Sequence, residues 1–187
     1  MKEKIRSIFN ESIEVKYKTL DQNLDKIVLA IKEINKAVNK NKKILLFGNG
    51  GSAADSQHIA AEFIGRFKKE RRAVGAIALT TDTSCLTALG NDYSFDIIFS
   101  RQIEGLGQKG DIAIGISTSG NSKNVIEGIK KAKDLGLTTI TLTGCDGGKL
   151  SKISDISIIV PSNDTARIQE SHSCIAHAIC ELVESSI

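Results

Sequence analysis

KILLFGNGGSAADSQHIAAEF, residues 43–63, decides the fold of this chain. Lys43 to Phe47 is a short apolar run of the kind that forms a buried strand. It stops at Gly48-Asn49-Gly50-Gly51, where the backbone is free to take positive φ. Ser52 stands where an N-cap stands. The alanine-rich run 53–66 behind it reads as helix. Strand, glycine turn and helix N-terminus together make a seat for an anion, because free N–H groups and the helix dipole converge there.

The same helix carries an imidazole and two carboxylates. His58 and Glu62 are four residues apart, so at about 100° per residue they sit roughly 40° apart on one face. Asp55 lies near the same line. Above a phosphate-sized hole, that grouping suits acid–base chemistry or two ligands of a metal. Taken alone, the plainer reading, an i,i+4 pair on a surface helix, would stand. The rest of the chain has to decide.

The 187 residues fit a single domain, with a helical extension over 1–40 and an α/β core over 41–187. Net charge is +3, from 25 basic and 22 acidic residues, too balanced to argue for nucleic acid. No apolar run approaches the roughly 20 residues of a membrane span. The N-terminus lacks the apolar core of a signal peptide, so a cytoplasmic protein is expected. Cys85, Cys145, Cys174 and Cys180 form no CxxC pair and read as reduced thiols.

Along the chain, residues 1–40 read as two helices with a break near Asp21 or Asn23. Ile5, Ile8, Phe9, Ile13, Tyr17 and Leu20 give one apolar stripe; Leu24, Ile27, Val28, Ile31, Ile34 and Val38 give the other. Two helices exceed what a doubly wound core needs; their stripes could cover the domain or equally pack against another copy, and helices used in oligomerisation are the expectation. Further strands are expected at 74–79, 112–116, 138–142 and 156–160. Helical pieces fall at 82–104, broken at Gly90-Asn91-Asp92, then at 123–135 and 164–185. In the last, Ile168, Ile175, Ala178, Ile179 and Leu182 form the expected buried stripe. This alternation predicts an α/β fold: a doubly wound, five-stranded parallel sheet of flavodoxin-like order 2-1-3-4-5.

In such a sheet, ligands bind outside the carboxyl ends of the strands where the order reverses, here between strands 1 and 3. Asn49-Gly50-Gly51-Ser52 follows strand 1. Ser117, Thr118, Ser119 and Ser122 follow strand 3, at the start of a helix. Hydroxyls, backbone N–H groups and a dipole hold a phosphate monoester without a metal. There is neither a GxxxxGK[ST] nor a GxGxxG, so a nucleoside triphosphate or dinucleotide is not indicated. On the last helix, Gln169 and His177 are eight apart and lie on similar faces. His172 points elsewhere and reads as an exposed or interface histidine.

GNGGSAADSQHIAAEF, ALGNDYSFD, GISTSGNSKNV and TARIQESHSCIAH together resemble the SIS (sugar isomerase) domain, specifically the phosphoheptose isomerase family. The resemblance spans nearly the whole chain. The loop STSGNS marks any SIS domain; its combination with His58/Glu62 and Gln169/His177 is far more specific. The family interconverts sedoheptulose 7-phosphate and D-glycero-D-manno-heptose 7-phosphate, the first step towards the heptose of bacterial surface glycans. The resemblance implies phosphate contacts from Ser52, Ser117, Thr118, Ser119 and Ser122. It implies a sugar pocket lined by Asn49, Gly50, Gly51, Asn91 and Asp92, with Glu62 and His177 as the acid–base pair. In zinc-binding members the ligands correspond to His58, Glu62, Gln169 and His177. A homotetramer with sites near subunit contacts is implied as well.

The residue types suit that chemistry. Aldose–ketose isomerisation moves a proton between C1 and C2 through an enediol, and needs one group for carbon and one for the oxygens. Glu62 suits the carbon and His177 the oxygens, though the reverse is open. Zn2+ would polarise the carbonyl. Gln is a weak zinc ligand, so a structural or partly occupied metal is equally open. Two rivals stand. One is a non-catalytic tetramer of the same domain that binds the replication initiator protein, against which intact Glu62 and His177 count. The other is an isomerase or sensor of another sugar phosphate.

Overall fold

The computed structural model describes all 187 residues, Met1–Ile187. A long helix α1 (Lys2–Val38) leads into strand β1 (Ile44–Gly48) and helix α2 (Gly51–Ile64). Then come β2 (Ala76–Ala78), α3 (Thr83–Asp92), a 3-10 turn at Phe95–Ile97 and α4 (Ile98–Leu106). β3 (Ile112–Ser117), α5 (Lys123–Asp134), β4 (Thr138–Gly144), α6 (Leu150–Ile153), β5 (Ile156–Val160) and α7 (Thr165–Glu184) complete the chain. All strand pairs are parallel and the order is β2-β1-β3-β4-β5, as the alternation predicts.

The period-2 geometry of β1 sorts its apolar run between two cores. Ile44 and Leu46 join α1, α2 and α7 on one face of the sheet. Leu45 and Phe47 join α4 and α5 on the other. With both faces covered, β1 and β3 read as unbroken apolar runs. At the amino ends of the strands, buried Asp111 accepts from the N–H groups of Lys43 (3.1 Å) and Gln108 (2.9 Å) and pairs with Lys43 Nζ at 2.6 Å.

Residues 2–38 form one helix, not two. The expected break at Asn23 is absent because that side chain has a distant partner. Asn23 Nδ2 donates to the carbonyls of Thr19 and Ile159, each at 2.9 Å, and Asn23 Oδ1 accepts from the Ile159 N–H at 3.1 Å. β5 is an edge strand, and Asn23 takes up backbone groups that the edge would otherwise present to solvent. α1 therefore covers the sheet edge with its second half, while Phe9, Ile13 and Tyr17 in its first half stay exposed.

Smaller differences follow the same logic. α3 runs through Gly90 and Asn91 and stops at Tyr93, because Asp82 caps its start by accepting from the Cys85 N–H and nothing interrupts it before. β2 keeps only three residues at the sheet's other edge. α6 was not anticipated. On α7, Ala178 and Leu182 face outwards; Ser171, His172, Ala176, Cys180 and Val183 share the buried face with Ile168, Ile175 and Ile179.

Candidate active site

β1 delivers the chain to the carboxyl edge of the sheet, where α2 begins. Ser52 is not the N-cap. Gly50 holds that position at φ +55°, and Ser52 is buried inside the first turn. No side chain caps the helix, and the N–H groups of Gly50 and Gly51 have no acceptor within the chain. Gly51 is needed for close approach, since a Cβ there would stand 2.5 Å from Gln169 Nε2.

The loop after β3 faces this turn. Ser117 and Ser122 hydroxyls bond each other at 2.9 Å, so Ser122 does not cap α5. The N–H groups of Thr118, Ser119, Ser122 and Lys123 therefore remain without an intrachain acceptor. Gly120, at φ +66°, packs so tightly on Gly147 that any Cβ would meet its carbonyl. Asn121 Oδ1 accepts from the Lys149 N–H at 3.1 Å, which braces the loop from behind. A reciprocal amide pair joins the two loops: Asn49 Nδ2 donates to Asn124 Oδ1 (2.8 Å) and Asn124 Nδ2 to Asn49 Oδ1 (2.9 Å). Asn124, buried at the start of α5, was not singled out from the sequence. Open donors on facing loops at two helix starts are suited to an anion.

α2 and α7 touch in a ladder, and this is what assembles the chemistry. Gly51 meets Gln169. Ser173 Oγ donates to Asp55 Oδ1 at 3.1 Å. His58 and His177 bring their Nε2 atoms to 2.8 Å, one ring's N–H donating to the other's lone pair. Glu62 Oε1 lies 3.6 Å from His58 Nε2. His177 is flanked by the His58 ring at 5.1 Å, edge-on, and by the Phe67 ring at 5.4 Å. Two helices thus supply a carboxylate and two imidazoles to one partly open spot.

Buried Cys180 stands near Glu62. Burial pushes its thiol up to about 12, with Glu62 adding to the rise, so it stays protonated. His172 is buried within the chain, not at the exposed or interface position expected of it. Its Nε2–H donates to the Thr143 carbonyl at 3.0 Å, leaving Nδ1 without a partner. Burial holds its pKa below the ordinary value. Asn91 and Asp92 sit at the exposed end of α3, bonded to each other at 2.8 Å, and no hydrogen bond within the chain links them to either loop.

Behind Glu62, buried Glu184 at the end of α7 accepts from the N–H groups of Phe67 (2.8 Å), Lys68 (2.6 Å) and Lys69 (2.8 Å). Arg71 Nε lies 3.3 Å away. Burial works against the charge, but those N–H groups and the Arg71 guanidinium outweigh it and hold the Glu184 carboxyl at about 2. Because the folded value lies below the ordinary 4.5, its stabilisation is complete above that pH and is lost as pH falls through about 2. Glu184→Gln should accordingly melt below the parent at neutral pH, and the two curves should converge near pH 2. A gap that does not change with pH would show that the carboxylate is not responsible.

The SIS domain family model matches residues 8–144. A phosphoheptose isomerase of Aquifex aeolicus is 59% identical over 187 residues, covering 100% of this chain and 98% of that protein. Among solved structures, the phosphoheptose isomerase from Neisseria gonorrhoeae superimposes with a TM-score of 0.93 at 45% identity, covering 98% of each chain. The one from Francisella tularensis superimposes with a TM-score of 0.94 at 38% identity, covering 98% of this chain and 97% of that one. The chain belongs to the SIS domain family and, within it, to the phosphoheptose isomerases.

Proposed function

We propose that the chain converts sedoheptulose 7-phosphate to D-glycero-D-manno-heptose 7-phosphate in the cytoplasm, at the entry to heptose synthesis for lipopolysaccharide or capsule. The observation that carries this is the convergence of Glu62, His58 and His177 along the α2–α7 ladder, whose start carries the open N–H groups. Ser117, Thr118, Ser119, Ser122 and the Gly50–Ser52 turn bind the phosphate. Glu62 takes the proton from C1 and returns it at C2. His177 passes the proton of O1 to O2, so the enediol forms and collapses without a free dianion. Asn49, Gly50, Gly51, Asn91 and Asp92 line the sugar pocket.

Zinc is part of this reading. His58, Glu62, Gln169 and His177 offer two nitrogens, a carboxylate and an amide oxygen, donors that zinc accepts. No three His, Cys, Asp or Glu side chains form a ready-made cage. The 2.8 Å between the two imidazole nitrogens is a hydrogen-bond distance. Two nitrogens on a tetrahedral zinc stand about 3.3 Å apart, so binding would part the rings slightly. When bound, the ion would polarise the carbonyl.

The test is incubation with sedoheptulose 7-phosphate, with the aldose product followed by NMR, alongside metal analysis of the same preparation. One zinc per chain and loss of activity in EDTA are expected. No product from this sugar would reject the substrate. Full activity with under about a tenth of an equivalent of metal would reject zinc but spare the acid–base pair.

The family's tetramer is proposed for this chain from α1. Ile5, Phe9, Ile13, Tyr17, Leu20 and Leu24 line one exposed stripe, beside an apolar groove of about 300 Å³ shared with Ile175 and Ala178 of α7. Sedimentation should give four times the 20.1 kDa chain mass. A monomer at micromolar concentration would reject it.

A further inference from the structure

Behind the acid–base pair lies a cluster with no place in the chemistry so far. Glu184, 3% exposed, gathers three backbone N–H groups of residues 67–69. Its neighbour Arg71 donates to the carbonyls of Glu62 (2.7 Å), Phe63 (2.8 Å) and Gly65 (2.9 Å). Glu62 and Phe63 lie in the last turn of α2, whose carbonyls lack helical partners and are ordinarily satisfied by a glycine turn with solvent; the Phe63 carbonyl also accepts from the Val74 N–H at 3.1 Å. A buried ion pair is a costly substitute, because desolvating two charges offsets much of their attraction. Here one contact from each member leads to the acid–base pair. One step from Arg71 is the backbone of Glu62 itself. One step from Glu184 is Phe67, whose ring lies 5.4 Å from that of His177.

We propose that Glu184 and Arg71 are positioning residues of the isomerase: their ion pair pins the backbone of Glu62 and the ring of Phe67. Through these it sets the Glu62 carboxylate against the His177 imidazole. This rests on the reading of Glu62 and His177 as the acid–base pair. The clasp touches neither anion loop, so its effect falls on turnover and not on binding of the phosphate.

Glu184→Gln keeps the volume and places an amide donor against backbone donors. The expected result is a fall in kcat of about 10- to 100-fold, the cost of misplacing a reacting group by about an ångström. KM should stay at the parent value. Phe67→Leu removes the ring but leaves the backbone N–H bonds to Glu184, and should lower kcat in the same way. In both, the His177 ring C–H signals at fixed pH should shift as the Phe67 ring current is lost or moved, a readout that needs no activity. Parent kcat and unshifted ring signals in Phe67→Leu would overturn the proposal even if Glu184→Gln failed to fold. So would a Glu184→Gln protein that raises KM alone. Normal turnover in Glu62→Gln would instead bring down the acid–base reading, in a different variant.

Discussion

Glu62→Gln should lower turnover by about 10²- to 10⁴-fold, the contribution of a general base. The substitution keeps the side chain's size and one acceptor oxygen but cannot take a proton. Glu62 is shielded on the flank of α2, with His58 as its polar neighbour at 3.6 Å and Cys180 behind it. The amide fills the same volume, so the fold should survive and circular dichroism should match the parent. The open N–H groups near Gly51 and Ser119 are untouched, so KM should hold. In D₂O the parent should leave deuterium at the carbon that exchanges its proton, unless proton return is faster than exchange with solvent; the variant should not. Parent-like turnover in Glu62→Gln would sink the mechanism.

Ser119→Ala should raise KM by about 5- to 150-fold, equivalent to about 1–3 kcal/mol for one hydrogen bond to a charged group. Ser119 is the hydroxyl to choose. Ser117 and Ser122 bond each other at 2.9 Å, which occupies one of their two hydroxyl protons. Ser119 Oγ only accepts, from the Asn121 N–H at 3.2 Å, so its own proton is free to reach an anion. Removing that hydroxyl also loosens the turn that Asn121 shapes, which adds to the loss. The effect should shrink on the dephosphorylated sugar, where there is no charge to meet. An unchanged KM would remove this loop from the phosphate site.

Much of this was legible because the deciding signals are local. An apolar run, a glycine turn and an alanine-rich helix define β1 and α2 within about 20 residues, and strand–helix alternation orders the sheet. His58 and Glu62 share a face by spacing alone. What was not legible depends on partners far along the chain. Asn23 looks like a helix break until Ile159, 136 residues on, is placed beside it. His172 looks like a surface residue until α7 is rotated against β4. Asn124, Phe67, Arg71 and Glu184 carry no motif, and their roles come from contacts that only the packing of α2 on α7 and of β1 on β3 creates. The cap falls at Gly50, two residues before Ser52, because a glycine at positive φ turns the chain into α2 sooner than the serine signal suggests.

The amide bridge between Asn49 and Asn124 and the carboxylate clasp at Glu184 respond differently to acid. Neither amide gains or loses a proton in water, so the bridge is indifferent to pH and, being uncharged, to salt. The clasp is neither. Of the two joints, acid therefore reaches only the clasp, which gives way as pH falls through about 2, while the amide bridge between the two loops is unchanged.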